Sequence, residues 1–192
     1  MELLAQLQSI IAADTPRMHI LRLVKELALP DCWVAAGFVR GCVWDHVHEI
    51  RPSPLPDDID VIWYDPLHAT QENDRLLEST LRARDGTPGW SVKNQARMHG
   101  RNADSPYCSA ADAMRYWPET ATAVGVRLAG PAQIEVSAPF GLDDLFGLIV
   151  RPTPRFLAGK HAIYAARIQG KNWQLGWPRL SIQYPGQPAG LA

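Results

Sequence analysis

Apolar positions at helical spacing open the chain. Leu3, Leu4, Leu7, Ile10 and Ile11 predict an amphipathic helix over residues 3–12. Thr15 followed by Pro16 predicts a capped second helix, with Met18, Leu21, Val24 and Leu27 along its stripe and Leu29-Pro30 as its stop. The period then shortens. Cys32-Trp33-Val34-Ala35-Ala36 is a compact apolar run that predicts a buried strand, and Gly37 turns it into a helix reaching Val47. A loop with Pro52, Pro54 and Pro56 cannot continue that helix. It leads into a strand over residues 57–65, in which Ile59 and Val61 alternate with Asp58 and Asp60.

Further along, Leu76, Leu77 and Leu81 predict a polar-faced helix from His68 to Arg84, ended by a Gly/Pro turn. A strand is expected to open at Trp90, and a short helix to run from Ser105 through Ala110, Ala113 and Met114 to Trp117-Pro118. Residues 120–128 and 133–137 read as the two arms of a hairpin, followed by helical segments near 138–146 and 156–168. Strands mixed with helices give an α+β fold, a mixed central sheet flanked by helices. The expected organisation is one domain over residues 1–175, with a helical N-terminal part (1–30) and a helical C-terminal part (153–175). A Pro/Gly-rich tail over 176–192 is expected to be loose.

Composition changes this picture little. The 192 residues are 46% hydrophobic and 20% charged, enough for a sizeable core. A formal net charge of -1 argues against broad, non-specific binding to nucleic acid or membrane. Three cysteines without a C-x-x-C pair exclude a disulfide framework and fit a reducing compartment. No basic-then-apolar leader and no run long enough to span a bilayer is present, so a cytoplasmic protein is expected.

The chemistry concentrates on few residues. Asp58 and Asp60 share one face of a strand, where like charges repel unless a cation joins them. A divalent metal such as Mg²⁺ takes such carboxylates together with substrate phosphates. Gly37, between a strand and a helix start, suits backbone N–H contact with a phosphate, and Arg40 lies in that helix's first turn. Lys93 and Arg97, beside the later strand, suit a polyphosphate as point charge and fork. His46 and His48, two apart on a helix, do not face each other and read as ordinary surface residues.

Five stretches, in this order, resemble the DNA polymerase β-type nucleotidyltransferase superfamily, and within it a small bacterial nucleotidyltransferase group. They are Ala36-Gly37-Phe38-Val39-Arg40 with Val43-Trp44, then Asp58-Ile59-Asp60-Val61, then Trp90 to His99. Trp117-Pro118-Glu119-Thr120-Ala121-Thr122 and Ala138 to Phe146 complete the set. The resemblance implies a polymerase β-like fold and Mg²⁺-dependent transfer of a nucleoside monophosphate from an NTP to a hydroxyl, with pyrophosphate release. It also implies that Gly37 sits at the triphosphate, that Asp58 and Asp60 ligate Mg²⁺ (two ions can share such acids), and that a third acid comes from a neighbouring strand. Glu135, alone on the polar face of its strand, is the choice for that acid, with Asp143 and Asp144 as alternatives. Phe38 stands where the pattern has a second Gly or a Ser, and the gap from Gly37 to Asp58 is longer than usual. A degenerate nucleotide-binding module and a toxin–antitoxin-type partner protein remain alternatives. Near-neutral charge favours a small-molecule or protein acceptor over long RNA.

Overall fold

The computed structural model describes residues 2–86 and 89–184. A five-stranded mixed sheet carries the architecture, built from β1 (Trp33–Ala35), β2 (Asp58–Trp63), β3 (Gly89–Asn94), β4 (Gly125–Leu128) and β5 (Ile134–Ser137). Their order is β3-β2-β1-β4-β5, with β2 and β3 parallel and the other neighbours antiparallel. One face is apolar throughout. Val34, Ile59, Val61, Trp63, Val92, Val126 and Leu128 pack there against α1 (Glu2–Ala13), α2 (Thr15–Lys25) and α3 (Gly37–Val47), forming the main core. Asp14, not Thr15, caps α2, its carboxylate accepting from the Arg17 N–H while Pro16 occupies the first turn.

The opposite face is half covered. Trp33, Ala35 and Ile62 pack there with Ala110 and Met114 of α6 (Ala110–Met114) and with Ala123. The short helix α5 (Met98–Asn102), which the apolar pattern does not mark, precedes it. Residues 120–124 are rich in Thr and Val and were expected to be strand. Residues 120–122 instead form a 3₁₀ turn, and only Gly125–Leu128 pairs with β5.

Edge strand β3 is closed by α4 (Gln71–Arg84). Asp74 and Glu78, one turn apart on that helix, accept from the backbone N–H groups of Asn94 and Val92. These carboxylates occupy donors that an exposed edge would offer to another strand.

After α7 (Asp143–Phe146) the chain forms β6 (Ile149–Val150), α8 (Pro154–Ala158) and α9 (His161–Lys171). It then returns as β7 (Ser181–Ile182), parallel to β6. The expected loose tail is therefore packed as far as Tyr184. Leu180 is buried, Trp177 donates to Asp45, and the Tyr164 hydroxyl donates to the Gln183 carbonyl. The rest of that expected tail, residues 185–192, lies outside the described residues. No helix among the described residues is long and apolar enough to cross a membrane.

Candidate active site

β2 alternates as its sequence dictates. Ile59 and Val61 enter the core, while Asp58 and Asp60 emerge on the opposite face, Asp58 exposed and Asp60 half-buried. Asp60 lies level with Ala35 on β1 and Ser91 on β3, two small neighbours that leave its carboxylate uncrowded. Burial, and then the neighbouring Asp58, raise the Asp60 pKa above its ordinary value. The Ser91 hydroxyl, Arg40 and Arg167 pull the other way without cancelling that shift. Two carboxylates on one strand face, offset only in part by their neighbours, are a setting suited to a divalent cation.

The turn before α3 approaches the same site. Ala36 sits at φ 56° and ψ −122°, a conformation costly for a residue with a Cβ, and its N–H donates to the Val124 carbonyl. No side chain caps α3, so its first-turn N–H groups stay available to an anion. A Cβ at Gly37 would stand 3.7 Å from Arg40 Nη2 and 3.8 Å from Pro56, so the glycine keeps open the space between loop and guanidinium. The long, proline-rich loop is fixed from below. Arg17, fully buried, donates to the carbonyls of Ser53, Pro54 and Phe38 and pairs with Asp14. One guanidinium thereby ties α2, the start of α3 and the loop into β2.

Arg40 is buried beneath this opening. Its Nη1 donates to Thr122 Oγ1 at 2.9 Å, and its guanidinium lies 5.0 Å from the Trp44 ring and 4.4 Å from the Trp173 ring. Burial lowers its pKa to about 10, opposed by Glu119, Asp60 and Asp58, so it stays charged at neutral pH. Arg167 of α9 reaches the same cluster, its Nε donating to Glu119 at 2.6 Å. Sequence reasoning missed Glu119, Thr122 and Arg167 as the surroundings of Arg40. Arg167 lies 48 positions from Glu119, and no local pattern announces a partner that distant.

Three sequence-chosen residues are not brought to Asp58 and Asp60. Glu135 shares their sheet face but stands on β5, with β1 and β4 between. At about 4.8 Å per strand the lateral separation alone is roughly 14 Å, and Ser137, not Glu135, is level with Asp60; Glu135 pairs there with Arg127 at 2.7 Å. Lys93 pairs with Glu78, and Arg97 pairs with Asp74, which also accepts from Trp63 Nε1. Both cations secure α4 to the sheet. The alternatives for the third acid are placed as follows. Asp144 accepts from Thr120 Oγ1 and pairs with Arg151, while Asp143 begins α7 behind Leu142 as cap. Among the described residues, no three His, Cys, Asp or Glu side chains converge to hold a metal. His48 instead bonds the Trp44 carbonyl and the Arg179 N–H.

Solved structures place this arrangement in a class. A protein whose NMR structure is described as revealing a CCA-adding enzyme head domain superposes with a TM-score of 0.81 at 38% identity, over 92% of this chain and 95% of that one. A CCA-adding enzyme in complex with CTP (14% identity, TM-score 0.58) covers 94% of this chain but 43% of its own length. A tRNA-processing enzyme complex (16% identity, TM-score 0.51) covers 85% and 43%. The chain thus spans less than half the length of those two enzymes, which share its fold. The fold is that of a nucleotidyltransferase head domain, a mixed α+β arrangement. A profile of the nucleotidyltransferase family matches residues 22–182, and the chain belongs to that family. No curated protein matches it.

Proposed function

We propose that the protein transfers a nucleoside monophosphate from an NTP to a hydroxyl acceptor, with Asp58 and Asp60 holding Mg²⁺. The observation that carries this reading is the pair itself: two carboxylates on one strand face, beside an uncapped helix start and the buried Arg40. When bound, the metal offsets negative charge on the triphosphate during in-line displacement. The chain's own residues do the rest. The first-turn N–H groups of α3 and the space beside Gly37 receive the phosphate chain, and Arg40 stabilises the departing pyrophosphate. The acceptor oxygen bonds to the α-phosphorus, the α–β anhydride breaks, and the hydroxyl proton is released.

Small-molecule or protein hydroxyls are the favoured acceptors. Net charge is -1, with 19 Lys and Arg against 20 Asp and Glu. A chain so nearly neutral has no overall attraction for a long polyanion. The fold shared with a tRNA-processing enzyme makes an RNA hydroxyl the rival. Incubation with each α-labelled nucleotide, Mg²⁺ and a cell extract, followed by nuclease or protease, identifies which class becomes labelled. The absence of a converging third acid among the described residues favours one second reading, a nucleotide-binding module. It predicts nucleotide binding without Mg²⁺-dependent pyrophosphate release.

A further inference from the structure

We infer that Arg167, on the C-terminal helix α9, is a second phosphate-binding cation of the nucleotide site, held in position by the buried carboxylate of Glu119. This rests on the site being the NTP site proposed above. Glu119 is fully buried, and one of its oxygens accepts from Arg167 Nε while the other has no protein partner among the described residues. It immediately precedes the 3₁₀ turn whose Thr122 accepts from Arg40. Arg40 and Arg167 share a third neighbour, Trp173, whose ring lies 4.4 Å and 5.7 Å from their respective guanidinium carbons.

Two guanidinium groups are therefore gathered around one carboxylate and one indole, where like charges repel. A single glutamate offsets one of them. Both arginines act electrostatically on Asp60, and Asp58 and Asp60 act on Arg40, so this positive charge and the carboxylate pair lie within each other's field. Arg40 is buried, with Nη1 donating to Thr122 and Nε without an acceptor among the described residues. Arg167 is different. Its side chain is 31% exposed, and among the described residues its terminal nitrogens carry no hydrogen bond, which leaves its fork open to a ligand. A guanidinium fork matches two phosphate oxygens.

α9 is rigid enough to present that fork. Tyr164 bonds the Val150 and Gln183 carbonyls, and Trp173 packs edge-on to Trp44 of α3 at 5.5 Å. The helix is on this account part of the nucleotide site, and Glu119 is a positioning residue that acts through Arg167.

Calorimetric binding of each common ribonucleoside triphosphate with Mg²⁺, and of inorganic tripolyphosphate with Mg²⁺, tests the assignment on the full chain. Losing a charge-assisted contact to phosphate weakens binding by roughly ten- to hundredfold. Arg167→Met is expected to show that loss for triphosphate and tripolyphosphate alike, and Arg167→Lys a smaller one. Because Arg167→Met also strands Glu119, the double variant E119Q/R167M is the decisive control. It is expected to recover thermal stability while binding stays weak. Recovered binding in the double variant would reduce Arg167 to a structural partner of Glu119 and overturn the inference. Wild-type binding unchanged in Arg167→Met would overturn it while leaving the site reading intact. A wild-type protein that binds no nucleotide would overturn both.

Discussion

Asp60 bears the tension of the molecule. It is half-buried, next to Asp58, and its carboxyl holds a proton to higher pH than in an unfolded chain. A group with a raised folded-state pKa stabilises the fold at low pH. Its contribution declines as pH rises from the ordinary Asp range through the raised value. Once ionised, Asp60 therefore opposes folding of the metal-free protein. Asp60→Asn is expected to raise the melting temperature of the metal-free protein, by roughly 2–4 °C for each ~1 kcal/mol relieved. Mg²⁺ is expected to stabilise the wild type but not this variant. Differential scanning calorimetry with and without chelator checks both, and a lower melting temperature for metal-free Asp60→Asn would contradict the electrostatic account. Ala36 is a second residue under strain, at φ 56°. Its position at the strand-to-helix turn fits the tendency of functional sites to store backbone strain.

At the scale of elements, much of the arrangement was legible. The alternation in Asp58–Trp63, the glycine after Ala36 and the arms around Gly125–Leu128 and Ile134–Ser137 are local patterns, and the sheet obeys them. Thr120 to Thr122 misled because β-branched residues also suit a buried 3₁₀ turn, where Thr122 serves Arg40 and Thr120 serves Asp144. Lys93, Arg97 and Glu135 take partners that no local pattern names. A charged residue on a strand or at its end announces that it needs a partner, not which one, and α4 and β4 supply those partners. Arg17 gave no signal at all, yet it fixes the loop that replaces the shorter connection of the family pattern. Arg17→Met should cost about 3–5 kcal/mol, since it removes the ion pair to Asp14 and the guanidinium donor to three carbonyls. Denaturant unfolding measures this. A loss under ~1 kcal/mol would mean the loop is held by other contacts.

For the whole molecule, the C-terminal third acts as a brace that returns to the sheet's helices. Trp177 reaches Asp45 on α3, Leu180 is buried, and β7 pairs with β6. Truncation after Leu175 should therefore lower stability by about 4 kcal/mol, given the apolar burial lost. Thermal melts of the truncated chain check this, and an unchanged melting temperature would make residues 176–184 the loose tail their composition suggests. The central claim is that Asp58 and Asp60 carry nucleotidyl transfer, and pyrophosphate release coupled to acceptor labelling tests it most directly. With α-labelled nucleotide, Mg²⁺ and extract, the wild type and Glu135→Gln are predicted to transfer label at similar rates. Asp58→Asn and Asp60→Asn, folded by circular dichroism, are predicted to lose at least about a thousandfold. Full transfer by Asp60→Asn would contradict the account.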